Sequence, residues 1–411
     1  MTAVQFVSVL SFMVVMPLGP DMSQALGFSP SLVGWVTASY TLTAAVSGIA
    51  AALVLDRFDR RPALGLCMLG LVASNVAAGL AWSLEALVAA RVMAGLFGGP
   101  AGALAVAIVA DNVPPERRGQ AMGTVMGAIS LSAVLGVPGA LEVGHRFGWP
   151  APFFSVAALS LVIVLGSLAQ LPPQRHHLNQ EAALPTDITG AALRLLRMGS
   201  RPLSLLAFTL AAVAILPGFL VITNLAVFVQ FNLGFPREQL GLLYMIGGGI
   251  SFFGMRWTGR LVDRFGSTPV TTVSTLVLAA LLYVLYFDWH WLALPVLGLV
   301  PAFMFFNTAR MVAQNTAVSK VPEPAERAGF MALVQAVTQI AGGAGSALGA
   351  AMLTAGPDGK LAGMPALALI GILVSLAGPP LMAALERRIP RSATESHRVK
   401  AVAAKGSGVG G

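Results

Sequence analysis

The sequence predicts an all-α membrane protein with twelve transmembrane helices in two pseudo-symmetric six-helix bundles. Three observations predict it. Composition is the first: of 411 residues, 56% are hydrophobic and 10% charged, against about 25% charged in soluble domains. Mean hydropathy is +0.80, too much apolar surface for one water-soluble core. The second is run length. Apolar runs last roughly 20 residues, the length of a spanning helix, without the alternation of a barrel strand. The third is an internal duplication. Ala52-Leu-Val-Leu-Asp-Arg-Phe-Asp-Arg-Arg-Pro62 returns as Gly259-Arg-Leu-Val-Asp-Arg-Phe-Gly-Ser-Thr-Pro269, with Asp56 and Asp263 207 residues apart.

The first six spans are read as Val4–Pro20, Ser31–Leu55, Pro62–Trp82, Leu84–Asp111, Gln120–Gly144 and Pro150–Leu171. The second six are Pro202–Phe231, Gln239–Val262, Pro269–Phe287, Trp291–Val318, Gly329–Thr354 and Pro365–Leu385. The expected domains are therefore residues 1–171 and 202–386, joined by a cytoplasmic linker, 172–201. Within that linker, Thr186–Met198 reads equally as an interfacial amphipathic helix or an unstructured connection. Residues 387–411 are basic, then rich in Gly, Ala and Ser, and are expected to be disordered.

The net charge of +8 does not point to nucleic acid, because the basic residues cluster in loops. Arg57, Arg60, Arg61, Arg117, Arg118, Arg264 and Lys320 fall on one face, against Arg146, Arg237 and Lys360 on the other. By the positive-inside rule both termini face the cytoplasm, in a cell inner (plasma) membrane. The N-terminus lacks the basic region of a cleaved signal peptide, so the first apolar run is expected to stay as a helix. Cys67 lies inside an apolar run and, as the only cysteine, forms no internal disulfide.

A second repeat supports the duplication. Pro114-Pro-Glu-Arg-Arg-Gly119 is matched by Pro322-Glu-Pro-Ala-Glu-Arg-Ala-Gly329, the two glycines 210 residues apart. With these residues in place, the chain resembles the major facilitator superfamily over nearly its whole length, and within it the drug- and sugar-efflux proton antiporters. Asp56, Arg57, Arg60 and Arg61 match the family's signature between helices 2 and 3, while Ala52 and Asp59 stand where glycines are usual. The second copy keeps Gly259, Asp263, Arg264 and Gly266 but has Ser267 and Thr268 for the basic pair. The resemblance implies a gating role. Physically, a carboxylate ending helix 2 can sit at the positive N-terminus of a helix from the other half, a contact made in one gate state and broken in the other. A plain positive-inside loop would explain the arginines but not the repeated Asp-Arg-Phe.

Arg91-Val-Met-Ala-Gly95 resembles the family's helix-4 signature, in which the Arg is associated with proton coupling. Six residues from Glu85, Arg91 lies about 9 Å below the outer boundary, where a guanidinium normally faces a partner or a watery cavity. A snorkelling Arg that tunes packing is the alternative. Gly136-Val-Pro-Gly139, with Pro138 expected to kink helix 5, resembles the antiporter signature of drug and sugar exporters. Helix 11 has Gly342, Gly343, Gly345 and Gly349 but no proline. Arg310 precedes Pro322 by 12 residues where Arg91 precedes Pro114 by 23, so it is expected lower in the membrane. There it could meet an anionic group in the cavity or a structural partner at the inner gate.

No Asp or Glu stands at mid-membrane, and no histidine lies inside a span. Glu142, expected to pair with Arg91, and then Asp21 are the candidate proton carriers, each equally readable as a solvated helix-end charge. Tyr40, Asn224, Gln230, Tyr244, Asn307, Gln335 and Gln339 offer hydrogen bonds in otherwise apolar helices, and Met13, Met16, Met245, Met304 and Phe305 an adaptable lining. Each alone reads as a helix contact; together they suggest an amphipathic or lipophilic substrate. There is no phosphate-binding loop, metal-ligand cluster or nucleophile–base pairing, so neither an enzyme nor a cofactor or metal is expected. The expectation is a secondary exporter working as a monomer by alternating access, with proton antiport. A facilitator, or a non-transporting receptor or assembly factor on the same fold, is the alternative.

Overall fold

The computed structural model describes residues 1–54, 58–172, 188–287, 296–323 and 326–389. Asp56, Arg57, Asp288 and the tail from residue 390 lie outside these. Ten described helices are long and apolar enough to cross a membrane. The other two spans are α1 (Thr2–Met13) with α2 (Gly19–Leu26), and the 26-residue helix Leu240–Phe265. The latter carries Arg256, Arg260, Asp263 and Arg264, which dilute its hydropathy.

The first half continues with α3 (Val33–Val54), α4 (Arg60–Gly79), α5 (Leu84–Asn112), α6 (Pro115–Leu131), α7 (Val137–Phe147) and α8 (Ala151–Gln170). A linker helix, α9 (Ile188–Gly199), follows, so the described part of the linker takes the helical of its two readings. The second half contains α10 (Pro202–Ile222), α11 (Leu240–Phe265), α12 (Ser267–Tyr286), α13 (Val296–Val318), α14 (Arg327–Met352), α15 (Met364–Leu376) and α16 (Gly378–Arg388).

Three expected spans are interrupted. The first breaks at residues 14–18, because Pro17 and Pro20 have no amide hydrogen to donate along the helix. Its counterpart, α10, breaks at Asn224 and resumes as Leu225–Val227 and a π-turn, Phe228–Asn232. The twelfth divides at Ala377, ahead of Pro379 and Pro380. An antiparallel pair, Thr354–Ala355 with Leu361–Ala362, joins the eleventh span to the twelfth. The side chain of Asn232 completes it, donating to the Leu361 carbonyl and accepting from the Leu361 amide, each at 2.9 Å.

The halves meet along two seams, α3 against α14 and the α6–α7 region against α11. Small residues close both. At Gly34 of α3 there is no room for a Cβ against the Ser346 carbonyl, and a Cβ on Gly248 of α11 would come within 2.9 Å of the Ala133 carbonyl. The buried clusters fix which end is closed. The largest runs through both halves, joining Val14, Leu18 and Leu87 to Val227, Tyr244 and Leu285. Toward the arginine-rich face the cores separate: Val4, Leu64, Met68 and Ile108 form one, Leu210, Val318, Phe330 and Leu385 another. The halves thus share a core near the opposite face and part toward the basic one.

Candidate transport pathway

Arg91 sits where α1, α3 and α5 converge, and it is fully buried. Its Nη2 donates to the Ser11 carbonyl at 2.8 Å, and its guanidinium carbon lies 5.0 Å from the centre of the Tyr40 ring. Gly95 explains how Tyr40 comes so near, since no space exists between it and the Tyr40 carbonyl for a Cβ. The Arg-to-Gly spacing therefore builds a close α3–α5 approach that carries an aromatic face to the cation, a contact worth about 2 kcal/mol when desolvated. Gly95→Ala should force that approach apart and cost roughly 1–3 kcal/mol as overpacking. A lowered thermal unfolding temperature in detergent would register it, and no change would contradict the account.

The surroundings of Arg91 extend in two directions. Ser11 Oγ donates to Asn75 Oδ1 on α4 at 3.1 Å, and Asn75 Nδ2 to the Leu71 carbonyl at 2.8 Å. Phe12 stacks on Tyr40 at 5.1 Å between ring centres and on Phe219 of α10 at 6.2 Å, carrying the array into the second half. Nε and Nη1 of Arg91 have no hydrogen-bond partner among the described residues.

The expected pairing of Glu142 with Arg91 does not form. Glu142 accepts instead from Nε of Arg146 one helical turn away, at 2.6 Å, and both side chains are more than half exposed. The reason is geometric: Glu142 is on α7, past the bulge in its span, whereas Arg91 points inward toward α1 and α3.

Asp21 bridges the halves. It accepts from Nε and Nη2 of Arg237 at 2.5–3.0 Å, and both side chains are largely shielded. The three basic residues that depart from the charge asymmetry all prove to be matched by acids. Arg146 pairs with Glu142, Arg237 with Asp21, and Lys360 with Asp358. Contacts of Asp358 with the amide and side chain of Lys360 hold its carboxyl below the ordinary aspartate value.

Gly136-Val-Pro-Gly139 produces a π-bulge, Ser132–Gly136, in place of a simple kink. With Pro138 unable to donate, the helix absorbs an extra residue just before it. Ser132 Oγ donates to the Phe6 carbonyl at 3.0 Å, and a Cβ on Gly136 would meet Leu10 at 2.8 Å, so the bulge lies against α1. Gly139 borders open space.

Arg310 is buried too, within the second half. Its Nη1 donates to Ser375 Oγ at 3.0 Å, and its Nη2 to the Ala214 carbonyl at 2.8 Å and Asn307 Oδ1 at 3.1 Å. These contacts tie α13 to α10 and α15 beside Pro217, all within the second half. Asn224 and Tyr244 are buried, and Asn224 Oδ1, Asn224 Nδ2 and Tyr244 Oη have no partner among the described residues. Gln335 is exposed and Gln339 half-buried, on the stripe of α14 that reaches Gly342 beside Phe219.

The duplicated loop serves each half differently. Asp59, standing where glycine is usual, caps α4 by accepting from the Arg61 amide at 3.0 Å. Arg60 pairs with Asp111, and Arg61 donates to the Leu168 carbonyl. In the second copy Gly266 has φ +88°, a conformation that suits glycine and turns the chain in one residue from α11 to α12. Glu386 of α16 then takes the Ser267 amide at 2.8 Å and the Thr268 hydroxyl at 2.6 Å. Asp263 and Arg264 are exposed, Arg264 lying over Phe265, and Gly259 has open space around it.

Two helix bundles thus share an apolar core at one end, where Asp21 and Arg237 bridge them, and part toward the other. The family model of the Major Facilitator Superfamily matches residues 1–346, and the chain belongs to that superfamily, whose members are transporters and not enzymes. It is 29% identical over 263 residues to a chloramphenicol resistance protein of Streptomyces lividans, an alignment covering 64% of this chain and 65% of that one. Its fold matches the crystal structure of a D-xylose–proton symporter with TM-score 0.73 and 17% identity, over 91% of this chain and 94% of that one. A bacterial homologue of the human lysosomal transporter Spinster, inward-facing and occupied, gives TM-score 0.71 and 16% identity over 94% and 95%.

Proposed function

We propose that the chain exports a small amphipathic or lipophilic molecule from the cytoplasm by proton antiport. Residues 1–171 and 202–386 are the two bodies that rock, and the arginine-rich face is cytoplasmic. The sequence likeness to the chloramphenicol resistance protein carries this reading. The bulge at Gly136-Val-Pro-Gly139 and the adaptable methionines support it. In alternating access the present arrangement, closed by Asp21 and Arg237, corresponds to the inward-open form.

The test is export from proteoliposomes with an imposed pH gradient, using chloramphenicol as the first probe. Export that rises with the gradient is expected. Flux indifferent to the gradient would leave a facilitator, and no flux for any probe, with a stable protein partner on pull-down, would leave a receptor or assembly factor.

A further inference from the structure

A groove of about 580 Å³ opens on the outside of the protein toward the basic face. It is lined by Ile49 and Leu53 of α3, Leu196 of α9, Phe208 of α10, and Val337 and Ile340 of α14, among others. Among its described lining residues only Ser200 carries a polar side chain. The groove crosses the α3–α14 seam and is closed below by the linker helix, so it draws on both halves and the linker. Its size falls within the range of about 300–1,000 Å³ usual for ligand pockets.

We propose that this groove seats an acyl chain of an anionic phospholipid from the leaflet adjoining the basic face. Helices that form its walls span the bilayer, so the medium reaching it is lipid. Its near-absence of hydrogen-bonding groups suits a hydrocarbon chain and no polar ligand. The headgroup preference comes from α9, which is Ile-Thr-Gly-Ala-Ala-Leu-Arg-Leu-Leu-Arg-Met-Gly, with two arginines and no acid. Ala192, Leu195, Leu196 and Gly199 turn toward the groove, while exposed Arg194 and Arg197 occupy the opposite flank. An amphipathic helix so divided lies where acyl chains give way to headgroups, and its basic flank attracts anionic ones. Arg201, next along, is already engaged by Glu326 in a bidentate pair, leaving Arg194 and Arg197 to the lipid.

Native mass spectrometry of the full-length protein, equilibrated with equal parts phosphatidylglycerol and phosphatidylcholine, tests this. Phosphatidylglycerol should be retained preferentially, by about fivefold for each arginine. Arg194→Gln with Arg197→Gln should erase the preference while keeping a bound lipid, and Val337→Trp should displace the lipid by filling the groove. Equal retention of the two lipids by the parent protein would overturn the proposal, as would undiminished retention by folded Val337→Trp. If Val337→Trp fails to fold, the surface double variant decides, an unchanged preference overturning the proposal. None of these outcomes depends on what the protein exports.

Discussion

Asp21→Asn is expected to release the closed end and, on the proposed cycle, move the population toward the outward-open form. The carboxylate takes three contacts from Arg237 across the halves. Its side chain is 24% exposed and that of Arg237 19%, between a surface pair worth about 0–1 kcal/mol and a buried one whose breakage costs about 3–5 kcal/mol. An intermediate value of about 2 kcal/mol shifts the ratio of states roughly thirtyfold. Spin-label distances between the ends of α2 and α11 should lengthen in Asp21→Asn. The charge swap Asp21→Arg with Arg237→Asp should restore the shorter distance in part. Unchanged distances in Asp21→Asn would remove the latch from the mechanism.

Arg91→Met should separate stability from transport. The guanidinium is wholly buried with one carbonyl, one aromatic face and no carboxylate against it among the described residues. A charge so placed costs desolvation that its contacts only partly return. Methionine has a similar length without that cost, so the unfolding temperature should hold or rise. On the proposed function, export should nonetheless fall by roughly tenfold or more, because an intramembrane charge kept despite its cost points to a working role. Arg91→Lys keeps the charge but not the planar fork, and partial export there would show that charge alone matters. Parental export by Arg91→Met would reduce Arg91 to a packing residue.

Much of the architecture was readable because the bilayer imposes it. Run length and loop charge report directly on spanning helices, and the repeated Asp-Arg-Phe reports on duplication. Broken helices were less legible. Pro17, Pro20, Pro379 and Pro380 were visible, but a missing donor can give a kink, a bulge or a gap according to what neighbours offer. At Pro138 the Phe6 carbonyl and Leu10 of α1 lie against a π-bulge. Pairing was least legible. Glu142 could reach either Arg91 or Arg146, and proximity along its own helix prevailed. The link from Asp21 to Arg237 spans 216 residues, although a signal existed, since Arg237 was one of few basic residues on the acid-matched face. Phe12, Phe219 and Asn75 gave none, because an ordinary apolar or small polar residue gains meaning only from what packs beside it.

The amide of Asn232 that completes the Thr354–Ala362 ribbon fastens the end of the seventh span to the beginning of the twelfth. A fluorophore or epitope set in the turn at Gly356–Lys360 would therefore be carried rigidly by the second half, with little wobble of its own. If the halves rock as proposed, its orientation would read out the angle of that swing.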